Sequence, residues 1–202
     1  ELYPIALFDN SEEGMKMTAD MRRYGCNTRF VTNTSEGGTN LLKVTHDLDE
    51  NGNPKRCFSK RHAPGSGFPK DKAFTVMGKD ATLPKFIQQL DFIPDVYFFE
   101  SATAAWRDLG KWMRSQGVLV YYEIQRMYQK EFPKYLKCMK ESDIVKFSDE
   151  AVEDLSFVDE LKEKLVIQTL GAKGVRFNLR GAGWVTLPPV QNDNVVDTEG
   201  CG

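Results

Sequence analysis

From Val96 to Leu187, short apolar runs alternate with amphipathic stretches of helical period, and this rhythm constrains the fold more than any other feature of the chain. Val96–Phe99, Val118–Tyr122, Ile144–Phe147 and Leu165–Thr169 each read as a buried strand. Between the first two, Thr103–Gln116 places Trp106, Leu109, Trp112 and Met113 on one face of a helix. Gln129–Lys140 reads as a second helix, and Ser148 as the start of a third. Strands joined through helices lie parallel, because a crossover must carry the chain back before the next strand begins. The expected fold class is therefore α/β, with a mostly parallel central sheet and helices on both faces. Val175–Leu179 and Gly183–Leu187 follow with no helix between them, as a closing hairpin. In such sheets ligands sit beyond the carboxyl ends of the strands, so the residues just after each strand are the informative ones.

The first half of the chain is less regular. Pro4–Phe8 reads as a strand and Ser11–Tyr24 as a helix, with Ser11 as N-cap, Glu12 and Glu13 in its first turn and Gly25 as its stop. Thr28–Thr32 reads as the next strand. Asn40–Asp47 and Lys55–Lys60 form a hairpin around Asn51-Gly52, a strong tight-turn signal. Both faces of that hairpin mix apolar and polar residues, which suits a lid or an interface. Residues 62–69 are rich in Gly, Pro and Ser, and Leu83–Leu90 reads as a short helix. The whole of 1–202 is taken as one α/β domain, with the lid hairpin at about 39–61.

Charge and cysteine usage narrow the function. The net charge is −2 and no basic patch is interleaved with aromatics, which argues against a nucleic-acid partner. No apolar run reaches the length of a membrane span. Cys26, Cys57, Cys138 and Cys201 are scattered with no CxxC, which fits a reducing cytoplasm. His46 and His62 stand far from each other and from the cysteines, so a zinc site is not expected.

Two glycine motifs carry chemistry. Val166-Ile167-Gln168-Thr169-Leu170-Gly171-Ala172-Lys173-Gly174 is a buried strand running into a Gly-x-x-Gly turn. Asp197-Thr198-Glu199-Gly200-Cys201-Gly202 is a second turn, whose glycines would let backbone N–H groups approach an anion closely. Glycine-rich turns are common, and neither motif is specific alone. In order, however, the chain presents a strand, TLGAKG, a hairpin with Trp184, Pro188-Pro189, VVDT and Gly-x-Gly. That order and separation resemble the ribokinase/PfkB carbohydrate kinase family, with fructokinase or 2-keto-3-deoxygluconate kinase-like features.

The resemblance implies ATP-dependent phosphorylation of a sugar or sugar-acid hydroxyl, with Mg²⁺ offsetting the triphosphate charge. By carry-over, Gly200, Cys201 and Gly202 form an anion hole, and Thr169, Gly171, Lys173 and Gly174 line the nucleotide site. The general base would be an Asp directly after Gly202. A D-x-N-x-R-like substrate segment corresponds to Glu123, Gln125 and Arg126, each acid or amide one methylene longer than usual. An N-x-x-E-like metal segment corresponds to Ser148–Ala151; Ala151 stands at the usual Glu position, with Glu150 as the substitute metal candidate. Arg61, after the second hairpin strand, corresponds to a lid arginine that reaches substrate, and the hairpin sheet is a candidate homodimer contact. The family's first sugar-binding glycine pair has no counterpart here, so the chain reads as a piece trimmed at both ends and is expected to be inactive alone. Nucleoside kinases share these motifs, and the departures at Glu123, Gln125 and Ala151 also admit a non-catalytic relative that binds sugar or nucleotide.

Overall fold

A computed structural model describes residues 1–34, 42–48, 50, 54–60, 89–152 and 154–190. The irregular stretch 62–69, nearly all of the expected Leu83–Leu90 helix and the Asp197–Gly202 motif lie outside the described residues. The chain divides into two compact units, Glu1–Lys79 and Asp80–Gly202.

In the first unit, β1 (Ala6–Asp9) pairs in parallel with β2 (Val31–Thr34) through α1 (Glu12–Arg23). The expected capping holds: the Gly14 N–H donates to Ser11 Oγ at 3.1 Å, with acids in the first turn and Arg22 and Arg23 in the last. Gly25 ends the helix region at a φ of 81°. The strand expected from Thr28 opens instead as a 3₁₀ turn, Thr28–Phe30. Asn27 causes this, because its side-chain oxygen accepts the Arg29 N–H at 3.2 Å and bends the first residues into a cap. β3 (Leu42–Leu48) and β4 (Pro54–Lys60) form the expected hairpin, antiparallel from Leu48↔Pro54 to Leu42↔Lys60.

The second unit is a six-stranded sheet in the order β10-β9-β8-β7-β6-β5. β5 (Val96–Phe99), β6 (Leu119–Ile124), β7 (Ile144–Ser148) and β8 (Leu165–Thr169) are parallel. β9 (Val175–Leu179) and β10 (Trp184–Leu187) close the sheet as an antiparallel hairpin. α2 (Ala104–Ser115) crosses from β5 to β6, and α3 (Phe132–Glu141) from β6 to β7. Gln129–Glu131, expected as the start of α3, is a 3₁₀ turn; Pro133 then sits in the first α-helical turn, where its missing N–H costs nothing.

The helix expected from Ser148 does not form. A turn follows β7, and the crossover to β8 carries a 3₁₀ helix, Ser156–Leu161. The local side chains explain the difference. Ser148 Oγ accepts the Ala151 N–H at 3.1 Å, Asp149 Oδ1 accepts the Glu150 N–H at 3.1 Å, and Asp154 Oδ1 accepts the Ser156 N–H at 2.8 Å. Side chains that satisfy these N–H groups locally compete with a helical ladder.

The core lies on one face of the sheet. Tyr97, Phe99, Val120, Tyr122, Ile124, Val145, Phe147 and Val166 are buried there with Leu109 and Met113 of α2 and Cys138 and Met139 of α3. The Phe99 ring stacks on Tyr122 at 4.7 Å and on Tyr97 at 5.4 Å. Full burial of each such side chain contributes roughly 1.5–3 kcal/mol. Alternate residues point the other way, and Val96, Phe98, Leu119 and Leu179 are about half exposed. Within this unit, α2 and α3 cover one face of the sheet. The likeness to an α/β fold with a mostly parallel sheet stands.

Two residues lock the packing. Gly110 lets α2 approach the sheet: a Cβ there would meet Tyr97 at 3.4 Å and Phe99 and Val120 at 3.5 Å. Lys164 is 8% exposed, and its Nζ donates to the Lys140 carbonyl at 2.8 Å and to the Ser142 carbonyl. Burial holds its pKa below the ordinary lysine value, with the nearby Arg114 charge adding to the effect. Gly110→Ala makes only ordinary contacts and gains about 0.5–1 kcal/mol of helix propensity, so it is expected to raise the unfolding temperature slightly, whereas Gly110→Leu is expected to lower it sharply. Lys164→Met should lower stability by roughly 1–3 kcal/mol in urea unfolding, because it strips donors from buried carbonyls at the end of α3. Equal stability of that variant and the parent would refute the capping role.

Candidate functional site

The carboxyl ends of β5 and β6 open into a cavity of about 310 Å³. Glu100, Ser101, Ala102 and Thr103 enter from the β5–α2 turn, Gln125 and Arg126 from the end of β6, and Glu131, Lys134 and Tyr135 from the start of α3. Gln125 Nε2 donates to Glu100 Oε2 at 2.8 Å. Lys134 pairs with Glu131 at 3.2 Å. Arg126 lies over the Tyr128 ring at 5.4 Å and forms no ion pair among the described residues. Thr103 caps α2 with its carbonyl, which accepts the Arg107 N–H at 3.2 Å. Its hydroxyl oxygen is buried and has no partner among the described residues. Burial raises the Tyr135 hydroxyl pKa above the ordinary tyrosine value.

This wall is a mixed set of donors and acceptors. Glu100 accepts, Arg126 donates, and the Thr103 hydroxyl can do either. Glu100 and Glu131 balance Arg126 and Lys134 in charge. Such a surface suits a small ligand rich in hydroxyl groups.

The second locus is the turn after β8. Thr169 ends the strand, and Gly171–Lys173 form a 3₁₀ turn. The turn is closed by Leu170 N–H to the Gly174 carbonyl at 2.8 Å, Lys173 N–H to Leu170 at 3.1 Å and Gly174 N–H to Gly171 at 3.0 Å. Both glycines have positive φ, 56° at Gly171 and 96° at Gly174. Gly171, Ala172 and Lys173 are exposed, and Lys173 forms no ion pair among the described residues. Next to the turn, Arg176 Nε donates to Gln168 at 2.7 Å and its guanidinium stacks 4.5 Å from the Trp184 ring.

The structure thus brings Gln125 and Arg126 together, and gathers Thr169, Gly171, Lys173 and Gly174 in one turn. Glu123 is not part of the cavity: it forms an ion pair of 2.9 Å with Lys146, its cross-strand neighbour on β7. Glu150 is exposed in the turn after β7, and among the described residues no group of three His, Cys, Asp or Glu side chains gathers to hold a metal. Arg61, Gly200, Cys201 and Gly202 lie outside the described residues. Glu100 and Thr103 did not emerge from motif matching. Glu100 carries a signal even so, because a carboxylate directly after a buried strand is placed where ligands bind. Among the described residues, no helix is long and apolar enough to cross a membrane.

No family model matches the chain, and no curated protein matches it in sequence. Solved structures do. A ribokinase from Giardia lamblia superposes with a TM-score of 0.70 at 16% identity, over 98% of this chain and 62% of that one. A fructokinase from Xylella fastidiosa with bound ATP gives 0.66 at 16% identity, over 96% and 62%. An aminoimidazole riboside kinase from Salmonella enterica, complexed with aminoimidazole riboside and an ATP analog, gives 0.67 at 17% identity, over 100% and 67%. The chain spans about three-fifths of the length of the ribokinase and fructokinase chains that it matches. The fold is the ribokinase-like α/β fold, with its mostly parallel central sheet.

Proposed function

We propose that this chain belongs to an ATP-dependent kinase of the ribokinase/PfkB type that phosphorylates a hydroxyl of a sugar or sugar acid. The observation that carries the reading is the position of the TLGAKG turn. It stands at the carboxyl end of β8, in the same parallel sheet whose β5 and β6 ends carry the polar cavity, within a fold shared with sugar kinases. In this reading the triphosphate of ATP lies against the turn that Thr169, Gly171, Lys173 and Gly174 build, and Mg²⁺ travels with the phosphates rather than in a protein cage. Gly200, Cys201 and Gly202 supply backbone N–H groups to the transferring phosphoryl group. Gln125 and Arg126, joined by Glu100 and Thr103, orient the sugar; Arg61 is carried as a substrate contact by the family resemblance alone. Glu123, committed to Lys146, takes no direct part. The protein would act in the cytoplasm, with the β3–β4 hairpin as lid and homodimer contact.

A second reading is a nucleoside kinase, favoured by the equally extensive match to the riboside kinase. One panel separates the two. ADP release by the full-length protein that contains this chain is measured in a coupled assay with neutral sugars, sugar acids and nucleosides, and turnover is expected with a sugar or sugar acid. Turnover with nucleosides alone would replace the first reading by the second, and no ADP release with any of them would end both. Glu100→Gln is expected to raise the KM for the sugar by about tenfold or more, the cost of weakening one or two charge-assisted hydrogen bonds, while the KM for ATP stays put. An unchanged sugar KM would remove Glu100 from the site.

A further inference from the structure

The two glycines of the TLGAKG turn are alike in sequence and unlike in surroundings. A Cβ built on Gly171 would meet nothing within 4 Å. A Cβ built on Gly174 would run into the Leu187 carbonyl oxygen and come within 2.9 Å of the Pro188 carbonyl carbon and the Pro189 nitrogen. Gly174 also has a φ of 96° with a ψ of −138°, a conformation reserved for glycine. Gly171, with a φ of 56°, lies in the left-handed region that Asn also visits. So one glycine leaves the outer surface of the turn bare, and the other makes room for a neighbouring segment.

That segment is rigid by composition. β10 ends at Leu187, which pairs with Val175 just beyond the turn. Pro188 and Pro189 follow, with φ locked by their rings and no N–H to extend a ladder. The backbone of Leu187–Pro189 lies directly against Gly174. The Leu170 N–H, bonded to the Gly174 carbonyl at 2.8 Å, links this seat to the start of the turn. Gly171, Ala172 and Lys173 form the opposite, solvent-facing part, with the Lys173 ammonium, which forms no ion pair among the described residues, at its end.

We infer that the turn is divided into a ligand face and a seat: Gly171, Ala172 and Lys173 contact the nucleotide, while Gly174 contacts no ligand and acts as a positioning residue on which Pro188 and Pro189 brace the turn. This rests on the nucleotide reading of the turn given above, and it assigns Gly174 a different part from the other motif residues. Pro188 and Pro189 gain a role that no motif gives them. The division follows from the contacts, because a ligand needs an open surface: Gly171, Ala172 and Lys173 are exposed, and the side of Gly174 that a side chain would take is filled by Leu187–Pro189.

The test is calorimetric titration of the protein with ATP, beside steady-state kinetics and thermal unfolding. Gly171→Asn adds a side chain to the ligand face at a position whose φ of 56° favours glycine, so it is expected to weaken ATP binding by at least about tenfold and to lower the unfolding temperature by less than Gly174→Ala does. Pro188→Ala with Pro189→Ala loosens the brace without a clash, and is expected to weaken ATP binding about fivefold while the sugar KM stays within about twofold. Gly174→Ala is expected to lose both ATP affinity and thermal stability; where it fails to fold, the double proline variant decides. Wild-type affinity in Gly171→Asn, or in the double proline variant, would overturn the division. If the wild-type protein binds no ATP, the nucleotide reading falls and this inference with it; if it binds ATP and the variants behave otherwise than stated, this inference falls alone.

Discussion

The parallel register of β5, β6, β7 and β8 is the constraint on which the rest of the second unit depends. Parallel strands must each be reached by a crossover, so their carboxyl ends come out along one edge of the sheet. Residues distant in sequence are thereby delivered to that edge: Glu100 after β5, Gln125 and Arg126 after β6, and the Gly171–Gly174 turn after β8. None of these groups needs a long-range contact of its own to be placed there. The ladder and the apolar burial beneath it place them.

The two edges of the sheet use their polar groups differently. At the amino edge, Asp143 precedes β7 and is committed several times over. Its Oδ2 accepts the Val120 N–H at 2.9 Å, its Oδ1 pairs with Arg114 at 3.0 Å, and its backbone bonds Val120 on one side and Leu165 on the other. Lys164, one residue before β8, ties the end of α3 to the same edge. Polar groups with every partner in place stabilise and do little else. At the carboxyl edge, Arg126 and Lys173 form no ion pair among the described residues and the Thr103 hydroxyl has no partner. Groups left open beside a cavity are the ones free to meet a ligand.

Much of this unit is legible in the sequence. Val96–Phe99, Leu165–Thr169 and Val175–Leu179 fall where the apolar runs place them, and the α2 stripe at Leu109 and Met113 is buried as its spacing predicts. Strands buried on at least one face and long amphipathic helices write their period over many residues, so local exceptions do not erase the signal. The errors come where one side chain outweighs the period. Asn27 turns the start of a strand into a 3₁₀ turn, and Ser148, Asp149 and Asp154 hold a crossover out of the helical ladder. A Ser followed by acids reads equally as an N-cap or as a turn, and only the tertiary setting selects between them.

The site was less legible than the fold, and Glu123 shows why. As a carboxylate near a strand end it matches a substrate-binding pattern by type. Side-chain direction alternates along a strand, however, and on β6 the covered face belongs to Val120, Tyr122 and Ile124. Glu123 falls on the other face, in register with Lys146, where both side chains are about four-fifths buried and pair at 2.9 Å. Removing either would leave a poorly hydrated charge, so the pair is held together by the cost of separation as much as by attraction. A carboxylate so committed is not available to a hydroxyl ligand. In the proposed reading Glu100 is the acid left open, because its partner is the neutral amide of Gln125. The motif names the kind of residue required, and the pleat and the pairing decide which acid can do the work.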